Sequence, residues 1–215
     1  MTEQRSAEIT VWDPFVRAAH WTIAIGFFIA YLTEDVMTVH VWAGYVVGVI
    51  VVLRFLWGFV GPRHARFADF AYGPPTVLSY LWNLVFARAR RYVGHSPAGG
   101  AMVFALLLFL ALTVATGLIL YAEEEGAGPL APFYTQTAST GGAQLGEGET
   151  FESDEVEPEV RRQGFGESTF EEVHEVIANA TLGLVIFHIL GVILASFVHH
   201  ENLARAMVTG RKRRE

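Results

Sequence analysis

Four stretches of this chain stay apolar for too long to be the helices of a small water-soluble domain. Ala18–Thr33 contains no Asp, Glu, Lys or Arg, and neither does Val41–Leu53, which continues past Arg54 through Phe55–Gly61. The other two are Ala101–Ala122 and Val176–Val198. A bilayer core takes about 20 mostly apolar residues per helix, and inside it a lone segment can satisfy its own backbone only as a helix. The third and fourth runs reach that length outright. The first two reach it with one polar residue tolerated near an end. The sequence predicts an all-α integral membrane protein of one domain, 1–215, built as a four-helix transmembrane bundle. Its helices are expected at about 15–33, 41–60, 101–122 and 173–198, with a long acidic loop between helices three and four.

Composition and charge sharpen this. Only 17% of residues are charged, against about 25% in soluble domains, which is explained if lipid covers much of the surface. The absence of cysteine excludes disulfides, thiolate clusters, Cys-type zinc sites and covalently attached haem. A redox metal here must be held by His, Met or carboxylates. Residues 122–173 hold thirteen Asp/Glu against two Arg, so the net charge of −7 splits into −11 there and +4 elsewhere. The basic connection carrying Arg63, Arg66, Arg88, Arg90 and Arg91, and the tail carrying Arg205, Arg211, Lys212, Arg213 and Arg214, mark the cytoplasmic side by the positive-inside rule. The expected protein is a multi-pass one of the bacterial inner membrane, with both termini cytoplasmic and the acidic stretch outside. The first run does not read as a cleavable signal peptide, because a polar-rich segment precedes it and no small-x-small site follows. Thr76–Arg91, opened by Pro74-Pro75, reads as a short amphipathic helix on the cytoplasmic surface. Membrane lipid is an expected partner and nucleic acid is not.

The eight histidines carry the functional signal. A single intramembrane His can be a packing residue, yet an ionisable group at that depth is a functional candidate by default. His174 and His188 are fourteen residues apart, which puts them on one helix face about 21 Å apart along the axis. Ala178, Thr181, Gly191 and Ala195 share that face. His40 is followed by Gly44 and Gly48 at one and two turns, and His20 by Ala24. Depth along the predicted spans then matches His20 with His188 near the cytoplasmic side and His40 with His174 near the outer side. Two neutral imidazoles facing each other across a cleft of small residues suit a six-coordinate b-type haem, whereas zinc or copper would need further ligands. His64, His95, His199 and His200 lie in the basic connection and tail and are weaker candidates. Arg17 and Arg54, near the cytoplasmic ends of helices one and two, either snorkel to headgroups or pair with haem propionates.

At this point a family resemblance is visible. Trp12-Asp13-Pro14-Phe15-Val16-Arg17-Ala18-Ala19-His20-Trp21, His40-Val41-Trp42-Ala43-Gly44-Tyr45 and Arg54-Phe55-Leu56-Trp57-Gly58-Phe59-Val60-Gly61-Pro62-Arg63-His64-Ala65-Arg66-Phe67 are joined by His174, His188 and Glu201-Asn202-Leu203 before a basic tail. Together they resemble the prokaryotic cytochrome b561 family, which includes the b-type cytochrome subunits of nickel–iron hydrogenases. The resemblance covers all four helices and implies two b haems, with ligands falling on His20, His40, His174 and His188, and quinone-linked electron transfer. The stretch from Glu123 to about Glu172 is longer than expected for the simple members. Three readings stand at this stage. The first is a dihaem carrier between quinone and a periplasmic c-type cytochrome, dehydrogenase or hydrogenase, an electron-transfer component rather than a stand-alone enzyme. The second is a haem-bearing anchor subunit of a larger complex, or a homodimer. The third is a small transporter or channel using the polar stripe.

Overall fold

A computed structural model describes residues 8–133 and 167–213. The elements run β1 (Glu8–Thr10), α1 (Pro14–Leu32), α2 (Met37–Val60), a 3-10 turn (Phe67–Asp69), α3 (Pro74–Val85), α4 (Pro97–Glu124), α5 (Glu167–Val198), α6 (Leu203–Thr209) and β2 (Arg211–Arg213). Among the described residues, four helices are long and apolar enough to cross a membrane: α1, α2, α4 and the Phe170–Val198 part of α5. Their large side chains, among them Ile25, Trp42, Val49, Phe59, Phe187 and Phe197, point outward, as a lipid solvent requires. The protein is a mostly helical, multi-pass membrane protein. It divides into two compact units, Met1–Ala111 with Ala178–Glu215, and Leu112–Ile177.

The helices outrun their apolar segments. α2 begins at Met37, α4 continues through Glu124, and α5 begins at Glu167, so His174 lies two turns inside α5 rather than at its start. Glu is a good helix former and suits the positive N-terminal end of a helix dipole, so the acidic flank of α5 continues the helix. The remainder of the acidic stretch, 134–166, lies outside the described residues.

In the first unit, Asp13 caps α1 by accepting from Val16 N at 3.1 Å, and Pro14 follows at the first helical position, where its missing N–H costs nothing. Residues 33–36 turn the chain directly into α2. Gly26 lets the two helices approach closely, since a Cβ there would lie 2.8 Å from Val47 Cγ2. Beyond α2, Phe67 lies over Gly58, where a side chain would collide with its ring. It joins Phe55, Phe59, Phe70 and Phe104 in a cluster with ring centroids 5.2–5.9 Å apart.

Two sequence expectations are corrected here, on the 76–91 helix and on Arg54. The helix expected over 76–91 spans Pro74–Val85 and is not simply amphipathic. Tyr80 and Leu84 are buried, while the opposite face (Leu78, Trp82, Val85) is also apolar and exposed. The basic tail is folded: α6 packs Ala206 against Val11 and Trp12, and β2 pairs antiparallel with β1 in the register Glu8↔Arg213, Ile9↔Lys212, Thr10↔Arg211. Arg54 does not snorkel, because it is only 6% exposed.

Candidate functional site

The histidines sit where α1, α2 and α5 carry them. His20 on α1 and His188 on α5 face each other, with ring centroids 6.2 Å apart and planes inclined at 55°. Two imidazoles sharing one metal ion, with bonds of about 2 Å on each side and about 1 Å from nitrogen to ring centre, would be separated by about 6 Å. One turn and a half from His20, Gly26 keeps α1 close to α2; on α5, Thr181 is fully buried and Gly191 borders open space.

His40, on the first turn of α2, places Nδ1 2.9 Å from the Ala30 carbonyl of α1. A carbonyl only accepts, so Nδ1 carries the proton and Nε2 is the nitrogen that can ligate a metal. Gly44, one turn along, has nothing within 4 Å of the position of a Cβ. In the second unit, His174 Nδ1 lies 2.9 Å from Thr116 Oγ1, and its ring edge rests against Gly117, where a Cβ would come 3.0 Å from Cε1.

The two arginines are drawn into the chain. Arg17 Nη1 donates to the Val208 carbonyl at 2.7 Å. Arg54 Nη2 donates to the Ala65 carbonyl at 3.2 Å, and its guanidinium lies 5.4 Å from the Phe67 ring centre. Each leaves a buried nitrogen with no partner among the described residues: Arg17 Nε and Arg54 Nη1. Trp57 Nε1 and His20 Nδ1 are in the same condition. A buried polar group left unpaired costs about 1–3 kcal/mol, so several at one end of one unit need an explanation. A bound group that brings a metal ion for the imidazoles and carboxylates for the guanidinium and indole N–H groups supplies one. The residues present fit a haem.

The family models decide the class. The model for prokaryotic cytochrome b561 matches residues 11–210. The chain belongs to the prokaryotic cytochrome b561 family. A "Probable Ni/Fe-hydrogenase B-type cytochrome subunit" of Bradyrhizobium diazoefficiens is 35% identical over 97 residues, which cover 40% of this chain and 38% of that protein. The chain therefore matches well under half the length of this curated relative. No solved structure matches the chain. As a member of that family, the protein is a b-type cytochrome of the membrane.

Beside this site the cytochrome carries polar groups that sequence reasoning set aside or missed. His95 packs against Phe70 at 4.2 Å and Trp12 at 4.6 Å between ring centroids, with Nδ1 buried and unpartnered. Burial first, then the positive charges of Arg54 and Lys212, press its pKa down to about 3, so it is neutral. Glu201 is 8% exposed and meets Arg91 at 3.1 Å and Lys212 at 3.8 Å. The only sequence signals were a lone acid ahead of a basic tail and a Thr-Gly pair, Thr116-Gly117, interrupting an otherwise apolar run.

Proposed function

We propose that this cytochrome holds two b haems and passes electrons between the quinone pool and a redox partner on the outer face of the bacterial inner membrane. His20 and His188 hold one haem. His40 and His174, matched by depth along the spans, hold the other. The single observation that carries the reading is the facing of His20 and His188 at 6.2 Å in a chain whose family is that of b-type cytochromes.

Haem, when bound, supplies a one-electron iron couple. The chain's own residues do the rest. A haem held by two neutral imidazoles would have no open iron position for oxygen or a substrate, so the protein would serve as an electron-transfer component. Arg54 and Arg17 stand as partners for propionate carboxylates, which would satisfy Nη1 and Nε in a setting where unpaired charge is costly. The apolar walls of the helices exclude water and so keep the couple away from side reactions. Quinone exchange is placed on the cytoplasmic side, where the basic connection lies. The partner outside is a soluble c-type cytochrome, a dehydrogenase or a hydrogenase. The name of the Bradyrhizobium relative favours a second version of the same reading, a haem-bearing anchor subunit of a larger complex.

The test is the haem-to-chain ratio of the purified protein in mild detergent, with reduced-minus-oxidised spectra of His188→Ala and His174→Ala. Two haems per chain are expected, with each variant losing a different one. A ratio near one would break the two-haem arrangement, and no Soret band would leave a transporter or channel. A large subunit that co-purifies stably would select the anchor version.

A further inference from the structure

A threonine lies directly against His174. Thr116 and His174 lie in the same unit, and Thr116 Oγ1 is placed to do two things at once. It is 2.9 Å from the Leu112 carbonyl and 3.1 Å from the Thr113 carbonyl on its own helix, and 2.9 Å from His174 Nδ1. A hydroxyl has one proton and two lone pairs. Both carbonyls accept only, so all three contacts are satisfied together when the proton stays on the helix, as is common for Thr within an apolar helix. What Thr116 shows to His174 is therefore a lone pair.

A neutral imidazole has one N–H, and an acceptor at Nδ1 draws it there. Nε2 is then the nitrogen with a lone pair for a metal. Gly117 completes the seat: a Cβ there would stand 3.0 Å from Cε1 and 3.5 Å from Nδ1 of His174, so any side chain would push the ring away from the hydroxyl by a few tenths of an ångström.

We propose that Thr116 is the positioning residue for His174, fixing by its accepting hydroxyl the tautomer and ring orientation in which Nε2 serves as an axial haem ligand. This rests on the reading that His174 ligates haem. The acceptor also has an electronic effect. An N–H donated by a metal-bound imidazole makes the ligand more basic, which favours ferric iron, so removing the acceptor shifts the potential of that haem upward.

The experiment is a spectroelectrochemical titration and low-spin ferric EPR of the purified holoprotein, with Thr116→Val, Thr116→Ala and Thr116→Ser. Both hydroxyl-free variants are expected to raise one midpoint potential and change one EPR signal while leaving the other haem unmoved. Thr116→Ser restores both readouts, because it keeps the acceptor. Loss of one haem in both hydroxyl-free variants, but not in Thr116→Ser, supports the same role. Potentials and EPR signals unmoved in Thr116→Val overturn it, since a residue that only packs would leave them so. An unaltered protein that binds no haem instead overturns the ligand reading itself, and the haem ratio measured first separates the two failures.

Discussion

The region that carries both termini and the four spanning helices are built for different solvents. In the terminal region, Glu201 accepts from Arg91 at 3.1 Å and from the Arg213 backbone N–H at 3.2 Å, and lies 3.8 Å from Lys212. Lys212, itself 6% exposed, donates to the carbonyls of Tyr92 and Val93 and lies 6.0 Å from the Trp12 ring centre. Val11, Trp12 and Ala206 form a small buried core below these ions. In the spanning helices, hydrogen bonds such as Tyr31 Oη to Asn179 Oδ1 at 2.7 Å, His40 Nδ1 to the Ala30 carbonyl at 2.9 Å and Thr116 Oγ1 with His174 Nδ1 at 2.9 Å join helix to helix, and close approach comes from small residues such as Gly26. Lipid tails are as apolar as the side chains that meet them, so helices there associate by packing and a few hydrogen bonds rather than by hydrophobic burial. The terminal region meets water, where burying an ion demands a full set of partners.

The contrast predicts unequal sensitivity. The largest effect belongs to Glu201→Ala, which leaves Arg91 and Lys212 enclosed without their carboxylate. Removing one member of a buried ionic group costs about 3–5 kcal/mol. Thermal unfolding in detergent should show an early transition for the terminal region, with the helices melting near their original temperature. A single transition lowered throughout would mean that the two regions unfold as one.

The next effect is one of pH. His95 is held neutral, with its pKa pressed to about 3 by burial and then by Arg54 and Lys212. The unfolded chain takes up the proton below about pH 6.5, so it binds more protons than the fold, and stability rises with pH across that window. Taking pH from 7 to 5 should cost about 2 kcal/mol, at about 1.4 kcal/mol per pH unit below 6.5. His64 and His199 are shifted in the same direction, each first by desolvation, and add to the slope. His95→Phe should flatten most of this dependence. Glu201 acts lower in the scale: burial opposes its charge, but Arg91, Lys212 and the Arg213 N–H outweigh it and hold its pKa down. Its contribution is present above the unfolded carboxylate value, about 4.3, and is lost as pH falls through the folded value. A stability curve flat between pH 7 and 5 in the unaltered protein would remove His95 from the account.

The smallest effect is expected inside the membrane. Tyr31→Phe deletes the hydrogen bond to Asn179, and such bonds between transmembrane helices average about 0.6 kcal/mol. A loss of several kcal/mol in steric-trapping or denaturant unfolding would show that the spanning region depends on polar contacts as heavily as the terminal region does.

Much of this was legible in the residues. Each apolar run announces a helix because its solvent is decided locally, residue by residue. The fourteen-residue interval between His174 and His188 places them on one face because helical phase is local too. The helix ends were missed by several residues at Met37, Pro97 and Glu167: Glu is a good helix former that extends α5, and Pro97 suits the first helical position of α4. The fold of the tail was not legible, because charge pattern alone cannot tell a solvated lysine from one enclosed by carbonyls, as Lys212 is.

What the sequence by itself determined is therefore the set of spans, the exclusion of thiolate chemistry and the shared helix face of His174 and His188, all of which depend on composition or short-range period. Only the tertiary structure decided that Lys212 lies against Glu201 and pairs in β2 with Ile9, and that Arg54 turns inward to the Ala65 carbonyl. It also decided that a threonine 58 residues away in sequence meets His174. Those choices turn on where a distant part of the chain returns, and on which of two hydrogen-bonding groups has a proton left to give.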